Sequence, residues 1–362
     1  MNQRIKLTII TALVAFFISS CGGGSSSSSS GGTREDAVYT ASREHVDNQL
    51  IPLTDTFVTQ ATALATAADN FCTTIDETNL GEVQQAWRNL SETWFRLAAY
   101  NFGPMDVDLI FPTFSFIDSF RVNGVNYTGT VRNLISNQIA GADTLDSAFF
   151  DALPFTNVGL LALEILSFET SDVGHSTVAG NIVSDYQLNA RKCEILAGMA
   201  AQLIKHATVI QNGWQVDFNS TGTPYRTLFV DRNLDDGADP VATLIVAVQF
   251  YIDYLHKRSV VTLTALLSEH NWDNMSRAID EVEVLLNGTT DTTVSFFSLM
   301  ESAGFQAEIA TVEGNIAAVR AAITAQDNAL LEPALIALDG NFKREILQGI
   351  NVDPGINFTD GD

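Results

Sequence analysis

Cations are scarce in this sequence: its 362 residues carry 19 Lys+Arg against 43 Asp+Glu, a formal charge of −24 with histidine neutral. Phosphate backbones are held by basic patches, so nucleic acid is not an expected partner. Cysteine is rarer still, at three residues, too few for a disulfide-dense scaffold. Without a CxxC or a Cys/His cluster there is no recognisable zinc or thioredoxin-type redox motif. The five histidines are scattered, and HExxH, GxSxG, a P-loop and GxGxxG are all missing, which leaves nucleophilic and metal catalysis little to work with. What the chain does have is 46% hydrophobic residues, enough to bury the core of one large or two ordinary domains.

The N-terminus reads as an export address. Arg4 and Lys6 precede an apolar run from Leu7 to Ile18, too short to span a bilayer and of signal-peptide length. It leads into Ile18-Ser19-Ser20-Cys21, which resembles the bacterial lipobox, so residues 1–20 are expected to be removed and Cys21 to be lipidated. Loss of Arg4 and Lys6 takes the charge from −24 to −26. Residues 22–32 read GGGSSSSSSGG, a flexible tether with an r.m.s. reach of about 18 Å and an extended limit near ~38 Å. Acyl chains on Cys21 would anchor the protein to a membrane, and Gly22 rather than Asp behind the anchor resembles lipoproteins sorted to the outer membrane. The apolar stretch Val241–Ile252 stops at Asp253, and no other run is expected to span. After lipidation Cys72 and Cys193 are the remaining thiols, and an oxidising compartment permits either a disulfide or two buried free thiols.

Helical periodicity dominates the rest. Phe305, Ile309, Val312, Ile316, Val319 and Ile323 recur at alternating spacings of four and three; after Gln326-Asp327, Leu331, Leu335, Leu338 and Phe342 continue the stripe. Two such helices with so short a link are expected to lie antiparallel. Trp87, Leu90, Trp94 and Leu97 show the same pattern, as do Leu196, Met199, Leu203, His206 and Ile210. Further helical stretches are expected at 36–70, 157–168, 241–268 and 274–286. Strand-like alternation is confined to 109–117, where Pro112 interrupts, and 227–230. The fold class is therefore all-α. Gly103-Pro104 is expected to end the tryptophan helix. The turn-rich interval 213–240 divides an N-terminal helical domain, 33–213, from a C-terminal bundle, 214–362.

Glu164 is the most informative ionisable residue, because Gly159–Phe168 is otherwise apolar or small. Its neighbours on the helix face are Leu160, Leu161 and Phe168, so the carboxylate either rides an exposed edge or is buried with a partner. Arg88, Arg96, Arg121 and Arg191 are the candidate partners. Three other features have weaker claims. His206 falls on an apolar stripe, and His270 stands three residues before Asp273, the spacing of some metal pairs. Asp231–Ala242 begins like a calcium loop but places Gly237 one position late and Ala242 where a bidentate Glu is required.

Several segments together resemble the imelysin-like family of exported bacterial proteins: Ala86-Trp87 through Trp94 to Phe102-Gly103-Pro104, Ile110-Phe111-Pro112, Gly159–Glu164, Arg191 opening a helix that reaches Trp214, and Phe358–Asp362. The resemblance implies an all-helical, two-bundle protein with a shared cleft, lipoproteins linked to iron acquisition, and in some members a metallopeptidase role assigned from a GxHxxE motif. It places Gly159 at the glycine, Glu164 at the glutamate and Leu161 at the histidine. Leucine neither coordinates metal nor transfers protons. The resemblance thus implies a non-catalytic binding or accessory protein of iron uptake, with Glu164, Gly159, Arg96 and Arg191 around the ligand and other envelope iron-uptake proteins as partners. The resemblance leaves the cofactor open, with iron or another divalent cation as the candidate. The alternative is a metal-dependent peptidase that draws a histidine, His206 first, from elsewhere.

Overall fold

Capping residues punctuate the chain at the points where helices begin. A computed structural model describes residues 33–106, 112–118, 125–234 and 237–353; Cys21 and the tether, Leu109–Phe111, Arg121, Asp235-Asp236 and Phe358–Asp362 lie outside them. The first part holds α1 (Arg34–His45), α2 (Ile51–Thr73), α3 (Glu77–Leu97), α4 (Thr113–Ile117), α5 (Thr128–Ala140), α6 (Ser147–Asp151), α7 (Gly159–Phe168), α8 (Ala179–Leu188) and α9 (Arg191–Gln215). After it come α10 (Tyr225–Val230), α11 (Pro240–Lys257), α12 (Val260–Leu263), α13 (Asn271–Asn287), α14 (Phe296–Ser302), α15 (Gln306–Ala325), α16 (Asn328–Lys343) and α17 (Glu345–Ile350). Among the described residues there is no strand; the strand-like segments near 113–117 and 227–230 form α4 and α10. Side chains of Thr33, Asp76, Asp146, Asp239, Ser295 and Asp327 accept backbone N–H bonds at six helix starts, each satisfying a donor the first turn leaves unpaired.

The expected helix over 36–70 is helical throughout but changes register midway. Residues 46–50 form a π turn, with the Ile51 N–H reaching the Val46 carbonyl five residues back. Pro52 follows directly and has no N–H to give to the Asn48 carbonyl, so the normal i−4 ladder cannot be completed here. The helix expected over 241–268 is shorter than its pattern: α11 ends at Lys257, Ser259 turns left-handed at φ 49°, and only the single turn α12 follows. The tryptophan helix also stops early, at Leu97, with a 3₁₀ turn at Ala98–Tyr100 before Gly103 at φ 55°.

Packing follows the stripes. α2 lies against both α3 and α9, and Cys72 of α2 is bonded to Cys193 of α9. α15 and α16 form a hairpin about Gln326-Asp327, burying Val312, Ile316, Val319, Leu331, Leu335, Leu338 and Phe342. α9 is long and apolar enough to cross a membrane by length and composition, but it serves as a core helix, burying Leu196, Met199, Leu203, Ile210 and Trp214. The N-terminal helix α1 packs on α10, α11 and α14, and α3 packs on α13. Buried apolar side chains on both sides of 213–240 consequently join in one continuous cluster.

Candidate functional site

Helix α7 is buried on every face, from Gly159 to Phe168. A helix this apolar belongs inside a protein, and side chains around it donate to carbonyls at both its ends. The Trp87 indole N–H donates to the Leu160 carbonyl at 3.0 Å, Tyr186 Oη to Leu166 O at 2.9 Å, and Gln84 Nε2 to Ser167 O at 3.0 Å. Gly159 opens the helix at φ 75°, a left-handed backbone angle that explains glycine there.

Glu164, with 2% of its surface exposed, projects from α7 toward the segment that precedes α13. Its Oε1 accepts the Ser268 N–H at 2.9 Å and lies 2.9 Å from Ser268 Oγ. Ser268 Oγ is also 3.0 Å from the Ala265 carbonyl, so its one proton serves either oxygen. Burial pushes the Glu164 carboxyl from 4.5 up to about 7, opposed by hydrogen bonds from Ser268 and the Leu267 N–H and reinforced by the charge of Glu169. No ion pair within 4 Å reaches this carboxylate among the described residues. Arg88 acts one peptide away: its Nε and Nη2 point at the Ser268 carbonyl at 3.4 and 3.3 Å, with the guanidinium 5.0 Å from the Phe168 ring. Glu164 is therefore a buried hydrogen-bonding group that keeps its proton well above the usual carboxylate range and is about half protonated near pH 7, fastening α7 to the 265–268 turn.

The other residues singled out from sequence sit elsewhere. Arg96 Nε pairs with Glu281 at 2.9 Å in a buried network where Glu281 also takes Gln49 Nε2 at 2.8 Å and the Tyr100 hydroxyl, and His45 Nε2 meets Tyr100 Oη at 2.7 Å. Burial raises the Glu281 carboxyl, with Arg96 opposing. Arg191 binds the carbonyls of Gln138 (2.7 Å) and Asp143 (2.9 Å) behind α5. The His206 ring stacks on Phe116 with centroids 5.0 Å apart, and burial holds it down at about 4. His270 and Asp273 do meet, Nδ1 lying 3.1 Å from Asp273 Oδ2, while the other ring nitrogen lies 2.9 Å from Glu92 Oε1. Asp239 of the supposed calcium loop caps α11 by accepting the Ala242 N–H at 2.8 Å.

Beyond Glu164, the far end of α7 meets a charge cluster that the sequence did not announce. Glu169 binds Arg132 Nε at 2.7 Å, and the fully buried Lys192 donates to Asp185 at 2.7 Å and to the Glu169 carbonyl at 3.0 Å. Burial lowers the Lys192 ammonium, with Asp185 opposing. The cavity between Ile165, Glu169, His175 and Lys192 measures about 10 Å³, room for a single water.

A helical body built round one inward-facing carboxylate helix, with a GxLxxE signature at its start, defines the class of protein to which this chain belongs. The imelysin family model (Peptidase M75) matches residues 52–348, and the chain belongs to that family. No curated protein matches the chain. Two solved structures share its fold: an imelysin-like protein from Psychrobacter arcticum 273-4 (14% identity, TM-score 0.61, covering 89% of this chain and 98% of that one), and a protein described as an iron-regulated protein A precursor from Parabacteroides distasonis ATCC 8503 (14% identity, TM-score 0.60, covering 89% and 97%). The metal that the GxHxxE motif implies does not fit the residues here. Leu161 stands in the histidine's place, and Ser268 and Leu267 occupy the Glu164 carboxylate. Among the described residues no trio of His, Cys, Asp or Glu donors includes Glu164, whereas such an ion needs at least three converging protein ligands.

Proposed function

We propose that this chain is a lipid-anchored, non-catalytic binding or accessory protein of envelope iron uptake. The observation that carries the reading is the state of α7: leucine at position 161 and a carboxylate at 164 held by Ser268 rather than offered to a metal. Family membership and the fold shared with a protein described as iron-regulated support the iron connection. In this reading Cys21 anchors the chain in the outer membrane, facing the periplasm or the cell surface, and the Gly22–Gly32 tether lets the helical body reach other iron-uptake proteins. Glu164 holds the 265–268 turn in place, and iron or another divalent cation is the cargo of the chain.

Deletion of the gene in the producing bacterium tests this, with radioiron uptake measured under iron limitation. Uptake is expected to fall on deletion and to be restored by wild type. Cys21→Ala, released from membranes, is expected not to restore it, and the purified protein is expected to leave an unfolded protein substrate uncut. Unchanged uptake in the deletion strain, or hydrolysis that disappears in Glu164→Gln, overturns the reading.

A further inference from the structure

Two helices that pack together, α11 and α16, end in the same way. Each has an aspartate four residues before a final lysine: Asp253 before Lys257, and Asp339 before Lys343. His256 stands three residues after Asp253. Asp253, His256 and Asp339 each present one donor atom within 4.8 Å of the other two. Asp339 is buried at 7% exposed, and Gln249 Nε2, on an equally buried side chain, holds its Oδ1 at 2.6 Å.

We propose that Asp253, His256 and Asp339 form a binding site for one divalent transition-metal ion, separate from Glu164. The separation of His256 Nε2 from Asp253 Oδ1 is 3.2 Å. Two ligands about 2.0–2.1 Å from a tetrahedral ion stand about 3.3 Å apart, so these two already span one edge of such a shell. Asp339 supplies the third ligand by a small rotation of its carboxylate and leaves a fourth position open. An imidazole with two carboxylates suits Zn²⁺, Fe²⁺ or Mn²⁺ better than Ca²⁺ or Mg²⁺, which take all-oxygen shells. The Gln249 amide does what an outer-shell group does, orienting a ligating carboxylate from behind. Both helices point their C-terminal, partially negative ends at the site, in a chain of net charge −24.

In the metal-free protein the lysines do the neutralising, Lys257 Nζ at 3.0 Å from Asp253 Oδ2 and Lys343 Nζ at 3.0 Å from Asp339 Oδ2. The lysine side chains are 56% and 45% exposed, so water competes for them and they hold the carboxylates weakly. An ion bound on the inner oxygens displaces them, and their positive charge weakens its hold.

The test uses chelator-treated full-length protein, titrated calorimetrically with Zn²⁺ and followed with Co²⁺ by visible absorption. One ion per chain and an absorption band of four-coordinate Co²⁺ are expected. His256→Gln and Asp253→Asn are expected to lower Zn²⁺ affinity about tenfold or more, with unchanged circular dichroism. Lys257→Ala with Lys343→Ala is expected to raise it. Glu164→Gln is expected to leave it unchanged, so this result and the reading of Glu164 stand or fall separately. No Zn²⁺ bound at micromolar concentration, or binding that survives both His256→Gln and Asp253→Asn, overturns the proposal.

Discussion

Replacing Glu164 by glutamine should change how stability depends on pH while leaving the fold intact. Burial carries the carboxyl from 4.5 to about 7 in the folded protein, so between those values the native state holds a proton that the unfolded chain has released. Stability therefore falls as pH rises through that window, and the contribution present below the unfolded value is lost above the folded one. At roughly 1.4 kcal/mol per pH unit, the loss amounts to about 3 kcal/mol. Glutamine is neutral throughout, and its carbonyl oxygen can accept the same Ser268 N–H and hydroxyl bonds. The E164Q protein should thus match wild type near pH 4.5 and exceed it by up to about 3 kcal/mol above pH 7. Urea unfolding of both proteins, with the disulfide intact, measures this directly across pH 4 to ~8.5. Subtracting one curve from the other removes every other titrating group, so only the position-164 term survives. A difference that is flat with pH would refute the claim that the carboxyl is held protonated by burial. A difference that grows in the opposite direction would mean that an unseen cation pairs with it.

Four further outcomes follow from the packing. Removing the Cys72–Cys193 bond by double serine substitution releases a loop closure of 121 residues and should cost about 5 kcal/mol, read from the denaturation midpoint. Asp185→Asn leaves Lys192 buried without its counter-charge and should cost about 3–5 kcal/mol in the same assay. Trp87→Phe removes the indole N–H that the Leu160 carbonyl accepts, at about 0.5–1.5 kcal/mol, and should increase amide exchange in α7. Leu161→His rebuilds the GxHxxE signature, yet Ser268 still holds Glu164. A thermal scan with and without Zn²⁺ should therefore show lower stability and no Zn²⁺-dependent shift beyond that of the wild type.

Much of the architecture was legible because it depends on local rules. The centre of the four-and-three stripe of α15, the stripe of α16 and the turn between them are buried as expected, while Phe305, Ile309 and Ile323 are only partly covered, since a stripe that must be buried fixes both helix and partner face. Boundaries failed where the backbone, not hydrophobicity, decides. Apolar residues continue past Lys257, but Ser259 takes a left-handed angle and α11 ends there. The burial of Glu164 was readable from its neighbours; its partner was not. Ser268 lies 104 residues on, carries no distinguishing motif, and meets Glu164 only because α13 packs on α3 and α7 packs on α3 from another side. Charge scarcity also misled. It suggested an arginine for Glu164, whereas Arg96 and Arg191 are committed to Glu281 and to the carbonyls behind α5, and a backbone amide with a hydroxyl takes their place. The buried Lys192–Asp185 pair left no trace in sequence, because nothing local separates an ordinary helix-surface lysine from one enclosed by later segments.

The bond between α2 and α9 makes the intervening chain, α3 through α8, a covalent ring that contains Glu164 and its supporting tryptophan. A protease that nicks this ring once produces no free fragment: the halves stay tied through sulfur, and they part on a gel only after reductant is added. Damage in this stretch is thereby converted from loss of a piece into a local change of shape.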